Sequence, residues 1–168
     1  AEVVCVQETK AQAHQLEGEF RPQGYHCFYH DAQKKGYSGV AIYTRQKPVR
    51  VITELGYPLS DEEGRYIEAV FPTFSVASLY LPSGTSGEHR QKEKYAFMDF
   101  YEQHLKQRKA DPLIITGDWN IAHTQNDIKN WRSNQKNSGF LPEERAWLSD
   151  ILQRFDLIDA FRYLYPEK

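Results

Sequence analysis

Cysteine is scarce in this sequence: only Cys5 and Cys27 occur in 168 residues. Two thiols cannot build the multi-bridge framework of a small secreted domain, and nothing has the spacing of a zinc-ligand cluster. Cys5 stands in VVCV, where a small buried apolar residue is the simplest reading. Two reduced thiols suit a cytosolic protein. Long hydrophobic runs are missing too: no apolar stretch approaches the roughly 18 residues of a membrane span. No membrane partner is therefore expected, and no signal-peptide pattern is visible. Neither sign of charge dominates, with 21 Lys plus Arg against 23 Asp plus Glu and a net charge of −2. The pI is near 6.3. That balance excludes a globally basic nucleic-acid coat but leaves room for a local basic face. A Walker loop, a GxSxG elbow and a CxxC pair are also absent.

What is present points to a folded domain. The chain is 40% hydrophobic and 14% aromatic, too rich in Trp, Tyr and Phe for disorder. Its length predicts one domain that buries roughly 70% of its unfolded surface. It opens inside an apolar run, AEVVCVQETK, and a preceding segment is expected.

The first half reads as strands separated by Gly, Pro and charged turns: Val3 to Val6, Tyr25 to Tyr29, Gly39 to Tyr43, Val49 to Thr53, Tyr66 to Phe71 and Phe74 to Tyr80. The last two form a hairpin joined at Pro72-Thr73. Pro82 to Gly87 is a loop by composition. Glu88 to Lys109 reads as a helix, with Tyr95, Met98, Tyr101 and Leu105 at three- and four-residue spacing. Lys106, Arg108 and Lys109 suit its C-terminal dipole. After Asp111-Pro112, Leu113 to Thr116 is wholly apolar up to its threonine and predicts a short strand buried on both faces. Gly117 to Gly139 is polar with little periodicity, and a structureless segment of that length is usually functional. Pro142, Glu143 and Glu144 open a second helix whose buried stripe is Trp147, Leu148, Ile151, Leu152 and Phe155. Strands mixed with helices predict an α/β or α+β layered domain.

Polar residues that could carry chemistry sit where strands run out. In Ile114-Ile115-Thr116-Gly117-Asp118-Trp119-Asn120 a strand meets a glycine, and two polar side chains follow. In extended backbone Asp118 and Asn120 point to the same side, offering a charged acceptor and a neutral donor to a reacting phosphate. An Asx turn closing the strand explains the pair equally well. Glu8 follows Val3 to Val6; a carboxylate there suits a hard cation, since Mg²⁺ often takes one or two protein carboxylates. A simple pairing with Lys10 is the plainer reading. Tyr80 ends its strand just before Pro82-Ser83-Gly84, where its phenol could bond a phosphate or merely be half-buried. The loop 123–137 is rich in amides and cations, among them Asn130, Asn134 and Asn137, and suits contacts to a phosphate backbone. A solvated loop has the same composition. His89, Arg90, Lys92 and Lys94 add local positive charge or solvate a helix face. Gly36-Tyr37-Ser38-Gly39 reads as a turn feeding a strand, and Arg65 as a cation where a strand begins.

Five segments occur in an order that carries a resemblance: Val6-Gln7-Glu8-Thr9-Lys10, Gly36-Tyr37-Ser38-Gly39-Val40, Tyr80-Leu81-Pro82-Ser83-Gly84, Gly117-Asp118-Trp119-Asn120-Ile121-Ala122-His123, and Lys136-Asn137-Ser138-Gly139-Phe140 through Arg145. Together they resemble the exonuclease III class of apurinic/apyrimidinic endonucleases, within the endonuclease/exonuclease/phosphatase superfamily, in a bacterial flavour that implies a cytoplasmic setting. The resemblance covers essentially the whole chain. It implies a four-layer sandwich of two packed mixed sheets flanked by helices. It implies a Mg²⁺-dependent enzyme, with Mn²⁺ as an alternative ion, that cleaves DNA 5′ to abasic sites. A 3′→5′ exonuclease and a 3′-phosphodiesterase activity accompany this in some members. The partner is then double-stranded DNA with abasic sites or 3′-blocked ends, met by a monomer.

Carried over by motif, Glu8 is a metal ligand and Asp118 aligns or deprotonates the attacking water. Asn120 bonds the scissile phosphate, and Tyr80 contacts it and assists the leaving group. Asn130, Asn134 and Asn137 match DNA-phosphate positions, and Lys10 neutralises nearby charge. Ser83 stands where some members have Asn. The family's first strand, with its Asn, and its final SDHxP motif have no counterpart here. Residues 1–168 are thus expected to be the central part of such a domain and inactive alone. Two other readings stand beside this one: another phosphodiesterase or phosphatase of the superfamily, and a non-catalytic DNA-binding fragment.

Overall fold

Val3, Val4 and Val6 are β-branched and favour the pleated conformation, and the first strand, β1, spans Val3–Gln7. It is one of seven strands in a computed structural model that describes residues 1–108 and 112–168. β2 (His26–His30) and β3 (Val40–Thr44) complete an antiparallel sheet in the order β1-β3-β2. The central strand β3 carries Val40, Ala41 and Ile42, all fully buried. Cys5 and Phe28 flank Ile42 in register from either side. β4 (Arg50–Ile52), β5 (Tyr66–Val70), β6 (Ser75–Tyr80) and β7 (Leu113–Asp118) form a second, mixed sheet in that order. β5 and β6 are the expected hairpin: Phe71 N–H donates to Phe74 O at 2.8 Å, and the two rings stack at 4.9 Å. β7 runs parallel to β6.

The two sheets pack face to face. Val40 and Ile42 from one meet Ile67, Ala69, Val76 and Tyr80 from the other, with Val3, Cys5, Phe28 and Val51 closing the rim. Both sheets, with the short helix α1 (Pro58–Glu62), lie in one compact unit made of Ala1–Pro82 and Arg108–Trp119. The second unit, Ser83–Gln107 with Asn120–Lys168, is helical. It contains α2 (Glu88–Gln107), α3 (Trp131–Asn134), α4 (Pro142–Arg154) and α5 (Ala160–Leu164). Lys109, placed by the sequence in the last turn of α2, and Asp111 lie outside the described residues.

Three expectations need correction. β7 is not buried on both faces: it is the outermost strand of its sheet, and Ile114 is 52% exposed. A run of apolar residues has no alternation, so it cannot tell an edge strand from a central one. Lys94 does not solvate a helix face. It is fully buried and continues the inner face of α2, Lys94-Phe97-Met98-Tyr101-Leu105. Residues 117–139 are not structureless, since the end of β7, a 3₁₀ turn at Gln125–Asp127 and α3 fall there. The stripe on α4 is real but shallow, with Ile151 buried and Trp147, Leu148, Leu152 and Phe155 half-buried. Cys5 and Cys27 are both free and half-buried.

Candidate active site

In the sheet unit, four segments converge. The chain leaves β1 at Glu8, which adopts a left-handed φ of 55°, and Lys10 repeats this at 51°. Between and after them, Thr9 N–H donates to Gly39 O and Lys10 N–H to Ser38 O. A Cβ at Gly39 would overlap the Thr9 hydroxyl, and its φ of 90° favours glycine anyway. The QETK and GYSG segments are therefore one structural feature. Non-glycine residues in left-handed backbone cluster at functional sites, where the surrounding structure holds them.

Tyr80, at the end of β6, is 9% exposed and donates its hydroxyl to Glu8 Oε1 at 2.7 Å. Lys10 Nζ lies 3.6 Å from the same oxygen. One residue pair earlier, Gln7 Nε2 donates to Ser78 Oγ at 2.8 Å, and that hydroxyl lies 3.2 Å from Val6 O. Polar bonds thus stitch β1 to β6 at the rim of an otherwise apolar interface. Asp118 pairs in register with Tyr80 across the β6–β7 ladder, and its carbonyl accepts from Leu81 N–H at 2.9 Å. Its side chain is exposed at the strand end. Gly117 is required just before it, because a Cβ there would overlap the Leu79 carbonyl oxygen.

Beneath Tyr80 lies a group that the sequence marks only as a cation where a strand begins. Arg65 is 2% exposed, and its guanidinium sits 4.7 Å from the Tyr80 ring centroid. It donates to Tyr80 O at 3.1 Å, to the Tyr37 hydroxyl at 3.1 Å and to Glu63 at 2.7 Å. Tyr37 belongs to GYSG, so this arginine ties that turn to the end of β6. The sequence offered only a cation beside an apolar strand, and nothing there signals burial.

Burial raises the Tyr80 phenol, and the bond to Glu8 with that carboxylate's charge adds to the effect. Arg65 opposes it, Asp118 contributes a smaller push, and the result is about 12. The phenol is therefore a hydrogen-bond donor throughout the neutral range. A tyrosine whose folded pKa exceeds the ordinary value of about 10 stabilises the fold fully below that value. That contribution is lost as pH rises from about 10 through the folded value of about 12. The stability difference between wild type and Tyr80→Phe should shrink across this window in urea titrations. A difference constant through it would contradict the assignment.

Asn120 and the asparagines of the following loop belong to the helical unit. The strand ends at Asp118 and Asn120 has φ 48°, so the extended-chain argument for a shared direction of Asp118 and Asn120 does not hold. Asn130 also has a positive φ, 54°, at the start of α3. Asn134 Nδ2 donates to Lys129 O and Asn130 O, and its Oδ1 accepts from Asn137 Nδ2 at 3.0 Å. The three asparagines form one hydrogen-bonded turn, with Asn130 and Asn137 exposed. His123 lies 2.8 Å from Ser149 Oγ, and Arg162 pairs with Asp127, which also caps the 3₁₀ turn through Thr124.

No group of three or more His, Cys, Asp or Glu side chains is placed to hold a metal among the described residues. Glu8 suits a hard cation nonetheless. Both of its contacts fall on Oε1, its side chain is 45% exposed, and Mg²⁺ needs only one or two carboxylates beside water and substrate oxygens.

The profile of the Endonuclease/Exonuclease/phosphatase family matches residues 1–165. An exodeoxyribonuclease of Bacillus subtilis is 36% identical over 171 residues, covering 99% of this chain and 66% of that protein. The DNA repair nuclease APEX1 of Danio rerio is 36% identical over 173 residues, covering 99% of this chain and 55% of its own length. A structure described as an AP endonuclease from Archaeoglobus fulgidus matches with a TM-score of 0.88 at 23% identity, over 99% of this chain and 65% of that one. The chain spans less than two thirds of each of these three proteins.

Proposed function

The chain belongs to the endonuclease/exonuclease/phosphatase family, and from that premise we propose that it is part of a divalent-cation-dependent DNA repair nuclease. The substrate is the phosphodiester 5′ to an abasic site in duplex DNA. The observation that carries this reading is the pairing of Tyr80 with Glu8 at the strand ends, with Asp118 opposite Tyr80 in register. A protonated phenol and two carboxylates supply a donor, a proton acceptor and a cation ligand, the set that hydrolysis of a phosphodiester requires.

Asp118, exposed at the end of β7, accepts a proton from the attacking water. Tyr80 is kept protonated by its surroundings; its single hydroxyl hydrogen, turned from Glu8 Oε1, is donated to the leaving oxygen as the phosphorus–oxygen bond breaks. Asn120 supplies a neutral donor to the phosphate. Glu8 would hold Mg²⁺ or Mn²⁺, which when bound withdraws charge from phosphate oxygens. Asn130 and Asn137 contact DNA phosphates from the exposed turn. Asn134, with both amide hydrogens given to backbone carbonyls, shapes that turn.

The test is a nicking assay of the full-length protein on an abasic-site duplex. Strand scission is expected with Mg²⁺, and EDTA should abolish it. Scission unaffected by EDTA would overturn the cation role. Turnover of inositol phosphates or sphingomyelin with abasic DNA untouched would move the protein to another branch of the family.

A further inference from the structure

Within the helical unit, one ion pair is entirely withdrawn from solvent. Lys94 Nζ lies 2.6 Å from Glu144 Oε1, and both side chains are 0% exposed. The carboxylate gathers further donors: Gln91 Nε2 at 3.0 Å, Gly139 N–H at 2.7 Å and Leu141 N–H at 3.1 Å, with Ser138 Oγ at 3.4 Å. Glu144 therefore folds the segment 138–141 onto the start of α4. Lys94 makes a second bond, to the backbone oxygen of Asn120 at 2.7 Å. Gly139, held by Glu144, accepts from Ala122 N–H at 2.8 Å. The stretch 120–122 is thus gripped at both ends, once by Lys94 directly and once through Gly139.

Stability alone does not account for such a pair. Taking both charges out of water is costly, and well-packed apolar residues of similar volume often stabilise as well or better. What apolar side chains cannot do is hold a carbonyl oxygen in a chosen direction. Asn120 has φ 48°, a conformation that asparagine tolerates but that the rest of the structure must select.

We propose that the Lys94–Glu144 pair is a positioning device that fixes the Asn120 peptide in its left-handed conformation and so sets the direction of the Asn120 side chain. The proposal rests on the reading of Asn120 as a catalytic donor. Lys94 and Glu144 act through the backbone and do not touch substrate. A misplacement of about 1 Å in such a group can cost about a hundredfold in rate, and the cost falls on turnover rather than on binding.

The experiment measures kcat and KM on abasic duplex for full-length wild type, Lys94→Met/Glu144→Gln, Lys94→Met, Lys94→Gln and Asn120→Ala, with melting curves for each. The neutralised double variant avoids an uncompensated buried charge. It should fold, keep KM within about threefold and lose between about tenfold and a hundredfold in kcat. A folded double variant with kcat near wild type overturns the proposal. Lys94→Gln retains an N–H donor for the Asn120 oxygen, so its kcat should exceed that of Lys94→Met. This comparison decides the matter if the double variant does not fold, and equal kcat in the two overturns the proposal. Asn120→Ala separates the two levels. If it keeps wild-type kcat, the catalytic reading of Asn120 falls and the proposal with it. If it is inactive while the double variant is active, only the positioning role falls.

Discussion

Asp118→Asn in the full-length protein is expected to lower turnover of abasic-site DNA by about a thousandfold while DNA binding stays within about threefold of wild type. The amide has nearly the volume of the carboxylate but cannot accept the proton of an attacking water. Backbone contacts that the substitution leaves in place hold the position. The Asp118 carbonyl bonds Leu81 N–H, the residue pairs in register with Tyr80, and Gly117 ahead of it fits against the Leu79 carbonyl. None of these contacts uses the carboxylate. Single-turnover nicking and equilibrium binding measured by fluorescence anisotropy separate the two quantities. Turnover close to wild type would remove Asp118 from the assigned role. Equal losses of binding and turnover would make it a DNA contact instead.

Arg65→Met should have the largest effect on the fold, costing about 3–5 kcal/mol, the range for breaking a buried charged pair by removing one partner. Methionine fills much of the volume but removes the guanidinium bonded to Glu63, the Tyr37 hydroxyl and the Tyr80 carbonyl. Arg65→Lys should recover only part of the loss, because an ammonium cannot reproduce a planar fork bonded in three directions. The contrast is Lys92→Met. That lysine pairs with Glu88 in solvent, with side-chain exposures of 73% and 83%, and its removal should cost under about 1 kcal/mol. Folded domains carry only about 5–15 kcal/mol of stability, so the Arg65 variant should be marginal while the Lys92 variant is indistinguishable from wild type. Urea unfolding of the three variants provides the comparison. A loss below about 1 kcal/mol for Arg65→Met would show that Tyr80 and GYSG stand without it.

Some of this was readable from residue order. The strands of the first half, the turn at Pro72-Thr73 and the opening of α4 at Pro142 follow from local signals, because β-branched runs, prolines and first-turn acids act over a few residues. The motifs QETK, GYSG and GDWN marked the ends of β1, the approach to β3 and the end of β7. What local signals could not rank was burial among residues of one type. Lys92 and Lys94 stand two apart on one helix, yet one is in water and the other fully buried. The clue was the spacing 94-98-101-105, which continues the apolar stripe of α2, but a lysine at its head reads as surface. The three asparagines were alike in the sequence too, and only the hydrogen bonds of the turn set Asn134 apart.

The chain by itself determined its class, its strands and which side chains could do phosphodiester chemistry, since these depend on composition, period and motif. The tertiary structure alone decided which charges meet and which leave water. Residues 72 positions apart in sequence meet in the Tyr80–Glu8 bond, and residues 50 apart in the Lys94–Glu144 pair. The role of an ionisable group is set by its distance to partners and its access to water, and neither quantity is a property of the residues beside it in the chain.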